Sequence, residues 1–367
     1  MIQGRELTEK RFQLDSLDGL RGLAVLIVFL SHTSNEGTYL LPFANFAGIG
    51  KSGVFLFFVL SSFLLTLPFI RKGVDAKSKD FLINYALRRF FRIYPLYFVY
   101  LLCGLITSLV LWKVVGLGKP IGIPFLLSYR DFFEQLLLIQ GKGVTWSILV
   151  EFSYYFILPV LALTYSLVLK NKLLPSIVLT IILIIIAQLV WPQSESITND
   201  PRLGPYLPVF LMGSILALIF HKWQVYNFAE NKKLTLLLDV LGILAALILI
   251  FMIPSVSSCI LVKEIAPDYY HRQFMVYGLL WSIVVFLCVA GIGVIRKFFE
   301  ISFLRYLGFI SFSVYLLHPV VLELFKMIGI DIPMQGWIEL FLTILISHIS
   351  WVLIEVPASK IRLTRPV

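Results

Sequence analysis

Ten runs of roughly 17 to 25 mostly apolar residues occupy most of this chain, and each is long enough to cross a bilayer as a helix. They lie at about Leu17–His32, Val54–Ile70, Ile93–Val110, Val144–Leu169, Leu173–Trp191, Leu203–Phe220, Leu234–Ile253, Phe274–Val294, Phe303–Phe325 and Trp337–Ile354. In lipid every backbone N–H and C=O must be satisfied within the protein, and a helix achieves this within its own segment. The fold class is therefore all-α: a polytopic membrane helix bundle of about ten transmembrane helices, read as a single domain over 1–367. Composition agrees. Of the 367 residues 59% are hydrophobic and only 14% charged, where a soluble protein carries roughly 25% charged residues. Water-soluble, disordered and disulfide-scaffold classes are excluded.

The net charge of +10, from 31 Lys and Arg against 21 Asp and Glu, is out of keeping with so apolar a chain. Its distribution explains it. With the N-terminus placed in the cytoplasm, 22 of the 31 cations fall on cytoplasmic segments and nine outside. That asymmetry favours both termini in the cytoplasm, and it accounts for the charge without nucleic acid. The multi-pass chain belongs in a cell (inner or plasma) membrane, with the bilayer as its first partner. Cys103, Cys259 and Cys288 are widely spaced with no CxxC pair, so neither disulfides nor a metal site is expected. No cleavable signal peptide, phosphate-binding glycine loop or internal repeat is evident. The short run 130–139 before the fourth span reads as an interfacial or re-entrant segment.

Ionisable residues inside the spans carry the functional signal, since a helix that takes them into a bilayer turns them toward the bundle interior. Arg21 and His32 are eleven residues apart; at 100° per residue they share a face, about 16 Å apart along the axis. A cation at the cytoplasmic end and an imidazole toward the outer leaflet suit a long anionic thioester donor, the alternative being a topology Arg and a structural His. Arg89 and Arg92 share a face at the start of the third span, and guanidinium forks match phosphate oxygens; an ordinary positive-inside cluster is the bland reading. Glu151 lies at a depth comparable to His32, where a carboxylate can orient an imidazole and raise its basicity. Alternatively it is a helix-start carboxylate favoured by the dipole. Tyr315 and His318 share a face of the ninth span and are candidates for binding acceptor hydroxyls. The His318-Pro319 pair equally makes a kink supported by side chains, and structural support is the preferred reading of His318. Glu355 is read as structural, paired with cytoplasmic-side arginines, while His221, His271 and His348 carry no supporting constellation.

Taken in order, these segments resemble the acyltransferase-3 group of integral-membrane O-acyltransferases. Leu17-Asp18-Gly19-Leu20-Arg21-Gly22-Leu23-Ala24 with His32 is similar to that family's opening segment, and the stretch Gly53 to Leu64 to its second span. Arg89-Phe90-Phe91-Arg92 is similar to its RxxR segment, and Trp146-Ser147 with Glu151 to its WSLxxE segment. Phe210-Leu211-Met212-Gly213, Ser311 to Pro319 and Glu355-Val356-Pro357 follow in the same order. Two positions depart from the pattern: Ser62 stands where the family has glycine, which bears on helix packing, and Val356 stands where it has arginine.

The resemblance implies acyl transfer from cytoplasmic acyl-CoA, most often acetyl-CoA, to a hydroxyl of an extracytoplasmic glycan or lipid-linked saccharide, as in polysaccharide O-acetylation of the cell envelope. It leaves no room for an appended SGNH hydrolase-like domain. In this reading Arg21, Arg89 and Arg92 bind the CoA phosphates. His32 is a general base or transient acyl carrier supported by Glu151, and Trp146, Ser147, Tyr315 and His318 line the acceptor side. The competing classes are a transporter or flippase for an anionic or lipid-linked substrate and a structural subunit of a polysaccharide machine.

Overall fold

A computed structural model describes residues 2–41, 44–113, 127–195, 197, 199–226, 232–290, 294–329 and 334–361, with the side chains of 2–14, 111–113, 232 and 294 left undescribed. Lys119, Arg362 and Arg365 of the charge count lie outside the described residues, as does the end of the chain. Every described element is helical. In order these are α1 (Ile2–Asn35), α2 (Gly50–Lys72), α3 (Lys79–Lys113), the short α4 (Tyr129–Leu136), α5 (Trp146–Leu163), α6 (Leu173–Val190), α7 (Leu207–Val225) and α8 (Lys232–Phe251). Then come α9 (Pro254–Leu261), α10 (Phe274–Ala290), α11 (Val294–Phe299), α12 (Ser302–Phe309), α13 (Ser311–Ile328), α14 (Gln335–Ser350) and α15 (Val356–Ser359). Among the described residues nine helical segments are long and apolar enough to span a membrane. A tenth, α10, has 17 residues and so reaches about 26 Å, close to the hydrocarbon thickness. All ten expected spans are present as apolar helices.

Two elements differ from the sequence reading. The expected ninth span is broken at Ile310 (φ −93°, ψ 8°) into α12 and α13. The break lets α12 lie directly on α1, where glycines remove the side chains that would keep the backbones apart. A Cβ on Gly22 would sit 1.9 Å from the Leu304 carbonyl oxygen, and one on Gly308 would sit 1.9 Å from that of Asp18. Small residues at a helix crossing are what permits such an approach in lipid, where close packing takes over from the hydrophobic effect. The second difference is α3, which starts at Lys79, so Arg88, Arg89 and Arg92 lie within one 35-residue helix rather than ahead of it.

The segment before the fourth span is the helix α4, closed by a capping box: Asp131 N–H donates to Ser128 Oγ (3.1 Å) and Ser128 N–H to Asp131 Oδ2 (3.3 Å). It seats on the outer end of the bundle, where Tyr97 and Tyr94 of α3 donate to the Gln135 and Leu136 carbonyls (2.8 and 2.9 Å). Burial alone would raise the Asp131 carboxyl, but its hydrogen bonds from Lys142 and Ser128 outweigh this and hold it below the usual carboxylate range.

The core lies among α1, α2, α5, α7, α10 and α13, while α6 and α8 turn most of their apolar surface outward, as lipid-facing helices do. Ser62 is accommodated by chemistry. Fully buried between α2 and α7, its hydroxyl bonds Tyr154 Oη at 2.7 Å and Ser214 Oγ at 2.8 Å. Three helices are thereby joined where glycine would give only proximity.

Candidate active site

Two cavities lie one above the other along α1. The outer one, about 420 Å³, is lined on α1 by Val28, Ser31, His32 and Asn35. The inner one, about 60 Å³, takes in Arg21 seven residues below Val28. The spacings 21, 28, 32 and 35 form one helical stripe, so the expected common face of Arg21 and His32 is realised. The two residues do not share a chamber, however. Val54 of α2 and Tyr315 of α13 line both cavities and form the partition between them.

In the outer cavity the partner of His32 is His318, whose Nε2 lies 3.3 Å from His32 Nδ1 with the rings edge to face. His318 is completely buried, and its Nδ1 lies 3.0 Å from the Val314 carbonyl oxygen. A carbonyl only accepts, so Nδ1 of His318 carries the proton; with both rings neutral its Nε2 accepts, and His32 Nδ1 is the donor. His32 Nε2 is then the proton-free nitrogen. It has no hydrogen-bond partner among the described residues. Both nitrogens of His318 are engaged, one by the Val314 carbonyl and the other by His32. Trp146 lines the cavity at the start of α5, its indole 5.0 Å from the Tyr206 ring.

Glu151 is not at His32. It faces the inner cavity from α5, accepting hydrogen bonds from Tyr155 Oη (2.6 Å) and, very closely, from Ser61 Oγ. The side chain that the structure sets beside His32 is His318, and Glu151, expected there, lines the other chamber. The reason is azimuthal: on α5, Ser147, Ile148 and Glu151 share the face turned to the inner cavity, and the Tyr315 ring stands between that face and the outer chamber. Arg21 and Arg92 line the same inner cavity, and Arg21 also pairs loosely with Asp18 at 3.4 Å. Arg89 lines a third cavity, of about 550 Å³ between α2 and α3, close enough for its charge to act on Arg21 and Arg92. Of the three expected cations, Arg21 and Arg92 share a chamber and Arg89 lines the neighbouring one. Glu355 bonds Ser313 Oγ rather than an arginine.

Ser147 and Tyr315 are joined to each other. Their hydroxyls lie 2.6 Å apart, and both reach the Val144 carbonyl (3.2 and 3.0 Å). This closes the partition. Gly141 makes it possible, since a Cβ there would meet Trp146 Cα at 2.6 Å.

Two outer-cavity residues escaped the sequence reading. His271 donates from Nε2 to the Gly48 carbonyl at 2.7 Å and borders the chamber, and burial pushes its imidazole below the ordinary range. Lys51 lines the chamber from the first turn of α2, although in the charge count it is simply one of nine outer cations. No sequence signal marked His271; for Lys51 the signal was a lysine just ahead of an apolar run. No group of three or more His, Cys, Asp or Glu suited to a metal occurs among the described residues.

A model of the acyltransferase domain family matches residues 14–356. Among curated proteins, the O-acetyltransferase OatA of Staphylococcus aureus (strain NCTC 8325 / PS 47) is 26% identical over 373 residues, covering 95% of this chain and 57% of the relative. The putative O-acetyltransferase SACOL0978 of Staphylococcus aureus (strain COL) is 24% identical, with 96% and 58% covered. The chain thus spans a little over half the length of these relatives. No solved structure matches it.

Proposed function

The chain belongs to the acyltransferase-3 family, and on that premise we propose that it is a plasma-membrane O-acetyltransferase. It takes an acetyl group from cytoplasmic acetyl-CoA and esterifies a hydroxyl of a cell-surface or exported glycan. The observation that carries this reading is His32, set 3.3 Å from His318 in the outer cavity, above a chamber lined by Arg21 and Arg92.

The donor's phosphates bind at Arg21, Arg92 and Arg89, with Glu151 as the fixed counter-charge that keeps the cluster oriented. The pantetheine arm then passes between Val54 and Tyr315. The inner cavity has room for only a few waters, so the arm displaces the Tyr315–Ser147 pair as it enters. At the outer end His32 acts in one of two balanced ways. As a base, Nε2 takes the proton of the acceptor hydroxyl while the oxygen bonds the thioester carbon; the C–S bond breaks, and the imidazolium returns the proton to the departing thiolate. As a carrier, Nε2 itself bonds the carbon, the C–S bond breaks and the thiolate leaves, and His318 Nε2 takes the Nδ1 proton; the acceptor oxygen then bonds the acyl carbon, the C–Nε2 bond breaks, His318 returns its proton to His32 Nδ1, and the acceptor's hydroxyl proton passes to the thiolate. Single-turnover mixing with acetyl-CoA and no acceptor separates them: the carrier route releases one CoA thiol per protein in a burst, the base route none.

The donor half of the reading predicts that CoA raises the melting temperature of the purified protein, and that Arg92→Ala removes most of this shift. A full shift in Arg92→Ala removes the inner arginines from donor binding. No shift in the wild-type protein favours a transporter or structural subunit.

A further inference from the structure

We infer that Lys51 is the anchor for an anionic group carried by the acceptor, so that the outer cavity selects acidic saccharides. This rests on reading that cavity as the acceptor chamber. Lys51 is only 8% exposed, yet its ammonium makes no hydrogen bond or ion pair with a described residue. Nζ instead sits 5.9 Å from the ring centroids of both Trp146 and Phe274, a cation–π setting that compensates only part of the charge.

The carboxylates around it are committed elsewhere or set apart. Asp200 feels the Lys51 charge, but Arg202 holds both its oxygens, Nη2 at 2.6 Å from Oδ2 and Nε at 2.9 Å from Oδ1. Glu36 on the cavity wall is paired with Lys326 at 2.9 Å. Glu323 lines the wall from α13 and acts electrostatically with that same lysine. Arg272 adds a further positive charge near Lys51, and burial pushes the His271 imidazole below its ordinary range. A buried cation left without a counter-ion is costly, and here it faces an open chamber of about 420 Å³ that also holds His32.

The position is built rather than incidental. The loop leading to α2 is tied down by Phe46 N–H to Ser34 Oγ (3.1 Å), Gly48 N–H to Asn35 Oδ1 (3.2 Å) and His271 to the Gly48 carbonyl. Gly48 has φ +85°, and a Cβ there would lie 1.8 Å from the Pro267 carbonyl oxygen. Just past Lys51, Ser52 Oγ accepts from Trp281 Nε1 at 3.1 Å. A carboxylate or phosphate on the saccharide would make a charge-assisted hydrogen bond to Nζ and bring a neighbouring hydroxyl toward His32.

The test uses the purified full chain with acetyl-CoA, following release of the CoA thiol. Two probe pairs differ only in charge: methyl glucuronide against methyl glucoside, and glycerol 3-phosphate against glycerol. In the wild-type protein the anionic member of at least one pair should stimulate release at a concentration about tenfold lower than its neutral partner. Which pair responds distinguishes carboxylate from phosphate. Lys51→Met and the polar, neutral Lys51→Gln should abolish the preference, and Lys51→Arg should keep it. Because the readout is a ratio within each protein, loss of folded material does not mimic the effect. An anionic probe no better than its neutral partner on the wild-type protein overturns the inference, as does a preference that survives in Lys51→Met and Lys51→Gln. His32→Ala keeps the two claims apart: turnover surviving there refutes the catalytic reading whatever Lys51 does.

Discussion

At the scale of single residues, the centre of this protein is a pair of imidazoles whose roles follow from one carbonyl. Val314 accepts from His318 Nδ1 at 3.0 Å, which makes His318 Nε2 an acceptor and directs the His32 proton to Nδ1. His318 is in this account a positioning residue that touches no substrate. His318→Ala should lower kcat by about 100-fold, the scale of a misplaced reacting group, with little change in KM for acetyl-CoA. His318→Gln, whose side-chain oxygen can accept from Nδ1, should recover part of the loss. A rise in KM with kcat unchanged would instead return His318 to substrate binding. The sequence made His32 visible as an ionisable group inside an apolar run, but not its partner. Tyr315 and His318 share a helix face in any reading, and only the packing of α13 against α1 decides that one closes the partition while the other meets His32.

At the scale of elements, the chain reads most plainly where composition alone decides. Ten runs were long and apolar enough to be helices, and each is matched by an apolar helix among the described residues. The break at Ile310 was hidden because hydropathy does not register a crossing: Phe303–Phe325 is mostly apolar on both sides of it, and the close backbone contact there runs through Gly22 and Gly308. That contact predicts that Gly308→Val, which drives a side chain into the Asp18 carbonyl, destabilises the fold by about 3 kcal/mol. Its readout is the melting temperature of the purified protein, and an unchanged melting temperature would contradict the packing described. Glu151 was misplaced for the same kind of reason. Its depth could be counted along α5, but the azimuth that turns it to Arg21 and Arg92 is fixed by tertiary contacts with Ser61 and Tyr155.

For the whole molecule, the proposed function reads two chambers of about 60 and 420 Å³ as one route, with arginines at one end, His32 at the other, and Val54 and Tyr315 between them. Filling the partition should separate binding from transfer. Val54→Trp is expected to keep the CoA-induced thermal shift, since the phosphate site lies below it, while transfer falls by at least about 100-fold; unimpaired transfer would mean that the donor arm takes another path. The charge asymmetry belongs to this scale as well. Most of the basic excess is expected to set orientation, and Arg21, Arg92 and Lys51 are the cations that line the two chambers. The claim on which the rest depends is that His32 performs the transfer. Its most direct test is acetyl-CoA turnover by purified His32→Ala with the CoA-induced thermal shift recorded on the same sample. The account predicts that the shift persists while turnover falls by about 100-fold or more; full turnover in a variant that still binds CoA would contradict it.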